Sequence, residues 1–150
     1  MSRLLGPIES TPYIGSRAGM VTRDANGIQR LSQPEVIQVK RLTGETIGGH
    51  RVVRSLGGYV WYADAANKDH ADSVLGLTVT AANAYALTTI QMCGPLEELG
   101  WNWTPGKPLF LSGNSLLSHT PPTSGFVKQV AVAETATRIV IGLHPSIRKA

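Results

Sequence analysis

The sequence predicts an all-β protein: a small β-barrel or sandwich of short antiparallel strands over residues 35–150, preceded by an extended N-terminal arm over residues 1–34. Three observations predict it. From residue 35 onward, short runs rich in Val, Ile, Thr and aromatic residues recur between Gly, Asn, Asp and Pro, which is the signature of strands. The apolar spacing of an amphipathic helix is sustained nowhere. The runs also follow one another at intervals typical of sandwiches and barrels.

The elements follow in order. "EVIQVKRL" alternates, with Val36, Gln38 and Lys40 set against Ile37, Val39 and Arg41. "HRVVRS", "GYVWYAD", "VLGLTVT", "ALTTIQM", "PLFLS", "FVKQVAV" and "TRIVIGL" come next. Only "AANAYAL" and "PLEELG" offer a helical turn or two. Residues 59–92 and 108–143 echo each other: strand, polar connector, strand ending in small residues, then a more apolar strand. Two such units packed face to face would bury both apolar faces. A plain β-meander has the same rhythm.

The arm is rich in breakers, with Pro7, Pro12 and Pro34 among Gly6, Gly15, Gly19 and Gly27, and these interrupt both periodicities. It still carries apolar residues that a disordered tail would lack. It is expected to become ordered by lying on a neighbour, with Leu4, Leu5, Ile8, Tyr13 and Ile14 as anchors. The alternative is a mobile tail.

Composition narrows the function. A chain of 150 residues can bury a real core as one domain, and an apolar share of 42% argues against disorder. Charged residues are only 16%, against a usual share of about 25%, so part of the surface is expected to be covered by partners. The net charge of +4 is scattered rather than clustered, and no direct nucleic-acid binding is expected. Cys93 is the sole cysteine; it cannot form an intrachain disulfide and reads as a small core residue. No secretory leader or membrane span is read, so no membrane partner is expected and synthesis is assigned to a cytoplasm.

No catalytic set emerges. Asp64, Asp69, His70 and Asp72 cluster in "ADAANKDHADS" but match no calcium loop, and a polar connector explains them. His50, His70, His119 and His144 hold no zinc spacing. His119 sits between Ser118 and Thr120 without a nucleophile elbow and reads as a surface loop residue. The chain is expected not to be an enzyme, with no metal and no cofactor. Trp101 and Trp103 alternate, which in a strand would place both rings on one face. They serve as core, subunit interface or sugar platform.

The connector "SGNSLLSHTPPTSG" is the most suggestive segment. Pro121 and Pro122 stiffen it, Gly113, Asn114 and Gly125 suit turns, and Leu116 and Leu117 are apolar in a polar loop. These four, Leu116, Leu117, Pro121 and Pro122, are expected to lie against a neighbouring subunit.

Residues 106–147 resemble the C-terminal β-domain of small structural proteins in tailed-bacteriophage virions. Those read as a strand G-x-x-L-Y-L-S, a turn, G-x-L-T-x-x-P-P, a Gly, V-G-x-A and a T-x-I-x-I strand. Leu109, Phe110, Leu111 and Ser112 stand for the first strand. Leu116, Thr120, Pro121 and Pro122 stand for the middle, and Thr137, Ile139 and Ile141 for the last. Gln129, Val130 and Ala131 replace Val-Gly-x-Ala. The resemblance implies an all-β homotrimer located in the virion: a capsid decoration (cement) protein that bridges and stabilises major capsid subunits in viral assembly. A tail-fibre or baseplate adaptor, bound to another virion protein, is the first alternative. A carbohydrate-binding module using Trp101 and Trp103 is the second.

Overall fold

In the computed structural model, residues 21–23, 29–31 and 36–149 are described. The chain divides into two units, 1–35 and 36–150. In the first, β1 (Val21–Arg23) pairs antiparallel with β2 (Gln29–Leu31). The sequence predicts an extended arm without strands here, although Asn26-Gly27, a strong hairpin signal, lies between the two in sequence. Leu4, Leu5, Ile8, Tyr13 and Ile14 lie outside the described residues.

The second unit is nearly all β, as its sequence predicts. Five strands close into a barrel in the order β3 (Ile37–Thr43), β5 (Tyr59–Tyr62), β4 (Val52–Leu56), β6 (Val74–Thr78) and β7 (Leu87–Glu97), with β7 returning to β3. All pairings in the ring are antiparallel except β3 with β5. Gly57 and Gly58 join β4 to β5 in two residues, at φ of 64° and 86°. A two-residue hairpin turn of this twist requires positive φ at both positions, which glycine adopts without a Cβ clash.

β7 is the strand that joins two structures. Its first part closes the barrel, Cys93 pairs with both β3 and β12 (Arg138–Gly142), and Gly94–Glu97 pair with β12 alone. The sheet continues through β11 (Gln129–Ala133), β8 (Pro108–Leu111) and β9 (Leu117–Ser118). β10 (Phe126–Val127) pairs separately with β13 (Ile147–Arg148). "PLEELG", a candidate helical turn in sequence, therefore begins as strand: Pro95–Glu97 extend β7, because β12 offers them a ladder. "AANAYAL" forms a turn and an isolated bridge, Ile47 to Ala82, rather than a helix.

There are two cores. Val53, Val60, Ile90 and Ile47 fill the barrel, with Val39, Tyr62 and Leu75 packed against them. A larger core lies between the outside of β4 and β6 and the C-terminal strands. It holds Val52, Leu77, Leu109, Leu111, Phe126, Val130, Ile139 and Ile141 together with small alanines. The two sequence halves do pack against each other, but as one sheet turning through β7 rather than as two matching units. In the first half β4 lies between β5 and β6, whereas β8 pairs β11 directly.

Candidate interaction surface

The connector after β8 folds back on its own domain. Ser112 N–H donates to the Leu116 carbonyl at 2.8 Å, and β9 then pairs back onto β8 through Phe110–Ser118 and Leu111–Leu117. Asn114 and Ser115 both take positive φ, 62° and 64°. Two bonds hold this turn down: buried Ser115 Oγ donates to the Ala63 carbonyl at 2.5 Å, and Arg51 Nη2 donates to the Asn114 carbonyl. The Arg51 guanidinium in turn lies over the Tyr62 ring, 4.5 Å from its centroid. The role of Arg51 was not readable in sequence, because its partners lie 11 and 63 positions away.

This geometry separates the two leucines. Leu117 packs against the larger core, while Leu116 is 47% exposed. Pro121 is exposed and Pro122 half-buried. With Ser112, Ser118 and Thr120 they border an open cleft of about 400 Å³. The segment ends where Phe126 N–H donates to the Ala65 carbonyl at 3.0 Å and Lys149 N–H to the Gly125 carbonyl at 2.8 Å. Most of the connector is thus tied to its own barrel, and Leu116 is the one leucine of the pair left facing outward.

Trp101 and Trp103 lie outside any strand, so strand alternation does not orient them. Backbone bonds from Trp101 N–H to Glu98 and from Trp103 N–H to Ala136 place them. Both are half-buried against the larger core. They form the middle of a chain of four rings: His50 to Trp101 at 5.1 Å, Trp101 to Trp103 at 6.0 Å and Trp103 to His119 at 5.2 Å. The two indoles meet at 50°, not as the coplanar pair of a flat sugar platform. His119 is half-buried rather than a free loop residue. Its Nε2 accepts from Thr104 N–H at 2.9 Å and its Nδ1–H donates to the Pro108 carbonyl at 2.9 Å. These two partners select its tautomer.

The acidic loop disperses its carboxylates. Asp64 Oδ1 accepts from Ala66 N–H, and Asp72 pairs with Arg148 at 2.6 Å. Asp69 lies in a short 3-10 turn capped by Asn67. Among the described residues, no three His, Cys, Asp or Glu side chains converge to hold a metal ion. His70 Nδ1 accepts from Asp64 N–H at 3.0 Å. Burial, and then the Arg54 guanidinium, lower its pKa, against the opposing pull of Asp64 and Asp69. Burial likewise lowers that of Lys128, whose Nζ donates to the His144 carbonyl. Cys93 is half-buried where β7 passes from β3 to β12.

One exposed apolar set is not among the contact residues that the sequence predicts. Leu42, Leu56, Tyr85 and Leu87 are all exposed. In sequence they look like strand residues facing a core, and only the closure of the barrel decides which of its faces is inside. Neither a search of protein-family models nor one of curated proteins finds a match for this chain.

Proposed function

We propose that this chain is a structural component of a tailed-bacteriophage virion: a capsid decoration (cement) protein that bridges major capsid subunits, acting as a homotrimer. The observation that carries the reading is Leu116. It is held outward at the tip of a turn that two residues at positive φ and two side-chain bonds keep in shape. A leucine held outward by a fixed turn is available as a contact group, and it lies within the segment that resembles virion β-domains.

The barrel around it suits the task. A closed barrel leaves few free edges and makes a rigid base for contacts repeated over a lattice. Many such contacts raise effective affinity without any one being large. The charge deficit of the sequence fits a surface that is partly covered in the assembled particle.

The test is a count of this chain per purified particle by quantitative mass spectrometry. Decoration requires on the order of hundreds of copies, one or more at each repeated shell joint. A count in the tens would move the chain to a tail-fibre or baseplate adaptor, and its absence from particles would overturn both.

A further inference from the structure

We propose that the outer face of the barrel at the β4–β5 hairpin end is a contact surface for a second copy of this chain. Its centre is a row of four side chains: Leu87, Leu42, Tyr59 and Leu56. The pairing register sets them side by side. Leu42 lies opposite Leu87 on β7 and opposite Tyr59 on β5, and Tyr59 lies opposite Leu56 on β4. Neighbouring strands stand about 4.8 Å apart, so the row crosses four strands without a gap.

The row is on the outside. Val39, Val53, Val60 and Ile90 fill the barrel from alternate positions of the same strands. Leu42, Leu56 and Leu87 are 42%, 54% and 61% exposed.

Two aromatic residues enlarge the face. Tyr85 is 67% exposed and takes φ of 63°, a region unfavourable for a bulky side chain. Its N–H donates to the Thr43 carbonyl at 2.9 Å, and its ring meets that of Tyr59 edge-on at 5.9 Å. The turn therefore lays an exposed ring beside the leucines, in a backbone conformation that costs energy for a tyrosine. On the other side, Trp61 lies so close over Gly44 that a Cβ there would come within 2.3 Å of the indole. Its Nε1–H donates to the Leu56 carbonyl at 3.2 Å.

The clustering and the arrangement point to a second copy. Four of the nine large apolar side chains exposed among the described residues, Leu42, Leu56, Tyr85 and Leu87, gather on this one face, and contiguous apolar surface marks an interaction site where scattered single residues do not. A standard interface covers about 800 Å² per partner, and homodimer interfaces are about 65% apolar. The row supplies an apolar centre, and the next outward pair along β3 and β7, Lys40 and Thr89, joined by a 3.1 Å hydrogen bond, borders it with polar groups. The row is also self-complementary, with a leucine at each end and a leucine and a tyrosine between. A two-fold axis parallel to the strands sets Leu87 against Leu56 of the copy and Leu42 against its Tyr59.

Sedimentation velocity of the full chain over about a hundredfold concentration range tests the pairing. Wild type is expected to associate reversibly. Leu87→Asp and Leu42→Asp should each lose a twofold step in mass, or weaken it at least about tenfold. Leu99→Asp, a charge on another exposed leucine, should associate as wild type does. Melting curves show whether each variant is folded; if an Asp variant is not, Leu87→Ser and Tyr85→Ser decide in its place. A wild type that stays monomeric overturns the pairing, as do face variants that associate normally or a Leu99 variant that fails equally. A wild type that stays monomeric would also remove the homotrimer from the proposed function, whereas the place of the chain in the virion is decided separately by the particle count.

Discussion

Val52 and Val53 are consecutive residues of one strand, both fully buried, and they lie in different cores. Val53 points into the barrel with Val60 and Ile90. Val52 points out of it, into the layer formed with Leu77 and Ile139. β4 is the wall between two apolar compartments, so neither of its faces meets water at this point.

Val52→Ala and Val53→Ala should each cost about 1–3 kcal/mol, through lost burial and the cavity left behind. Neighbouring residues usually couple when mutated together. These two should not, because they share no apolar partners. The double variant is expected to lie within about 0.5 kcal/mol of the sum in urea unfolding. A larger deviation would mean that the two compartments relax as one.

Two glycines at similar φ should respond very differently to alanine. Gly125 has φ of 76°, and a Cβ there would lie 1.9 Å from the Ala65 carbonyl oxygen. That oxygen also accepts the Phe126 N–H bond that closes the connector. Gly106 has φ of 84° with nothing within 4 Å. Gly106→Ala should cost only the left-handed backbone penalty, about 1–2 kcal/mol. Gly125→Ala must also move backbone and should cost at least about twice as much. Thermal melting of the pair decides it.

The strands were legible because their apolar runs and turn residues are local. "YVWY" after Gly57-Gly58 could hardly be anything but the second strand of a hairpin. The extension of β7 through Pro95–Glu97 was not legible, because the ladder that holds it comes from β12, some 45 residues later. The same holds for the candidate surface. Leu116 and Leu117 look alike in sequence, and only the pairing of β9 onto β8 turns one inward and leaves the other out. The exposed Leu42, Leu56 and Leu87 were hidden by the opposite problem. Alternation identifies two faces of a strand, but it does not say which face a closed barrel encloses.

Stability should fall as the solution is acidified, and His70 should carry part of the fall. Its folded pKa lies below the ordinary 6.5, owing first to burial and then to Arg54. The unfolded chain therefore takes up this proton first. The contribution is complete above about pH 6.5 and is lost as pH drops from there through the folded value. Protonation at Nδ1 would also remove the acceptor of Asp64 N–H. His70→Asn keeps an acceptor near that position and does not titrate. The drop in urea midpoint between about pH 7.5 and pH 5.5 should be smaller in the variant than in wild type. An equal drop would assign the acid sensitivity elsewhere.

Leu116 and Leu117 allow stability and contact to be measured apart. Leu117→Ala removes a half-buried side chain from the larger core and should cost about 1–2 kcal/mol. Leu116→Ala removes an exposed one and should stay within about 0.5 kcal/mol of wild type. If Leu116 is the contact group proposed here, the order reverses in the particle. Leu116→Ala, although as stable as wild type, should be depleted from purified virions, and Leu116→Asp more so, because a carboxylate buried at a joint lacks a partner. Leu117→Ala should be incorporated normally at temperatures where it is folded. Mixing tagged variant and untagged wild-type chain during assembly, then reading their ratio in particles, compares the two under one set of conditions. A ratio for Leu116→Asp equal to that in the input would show that the outward leucine touches nothing, and the proposed contact would have to move to another part of the surface.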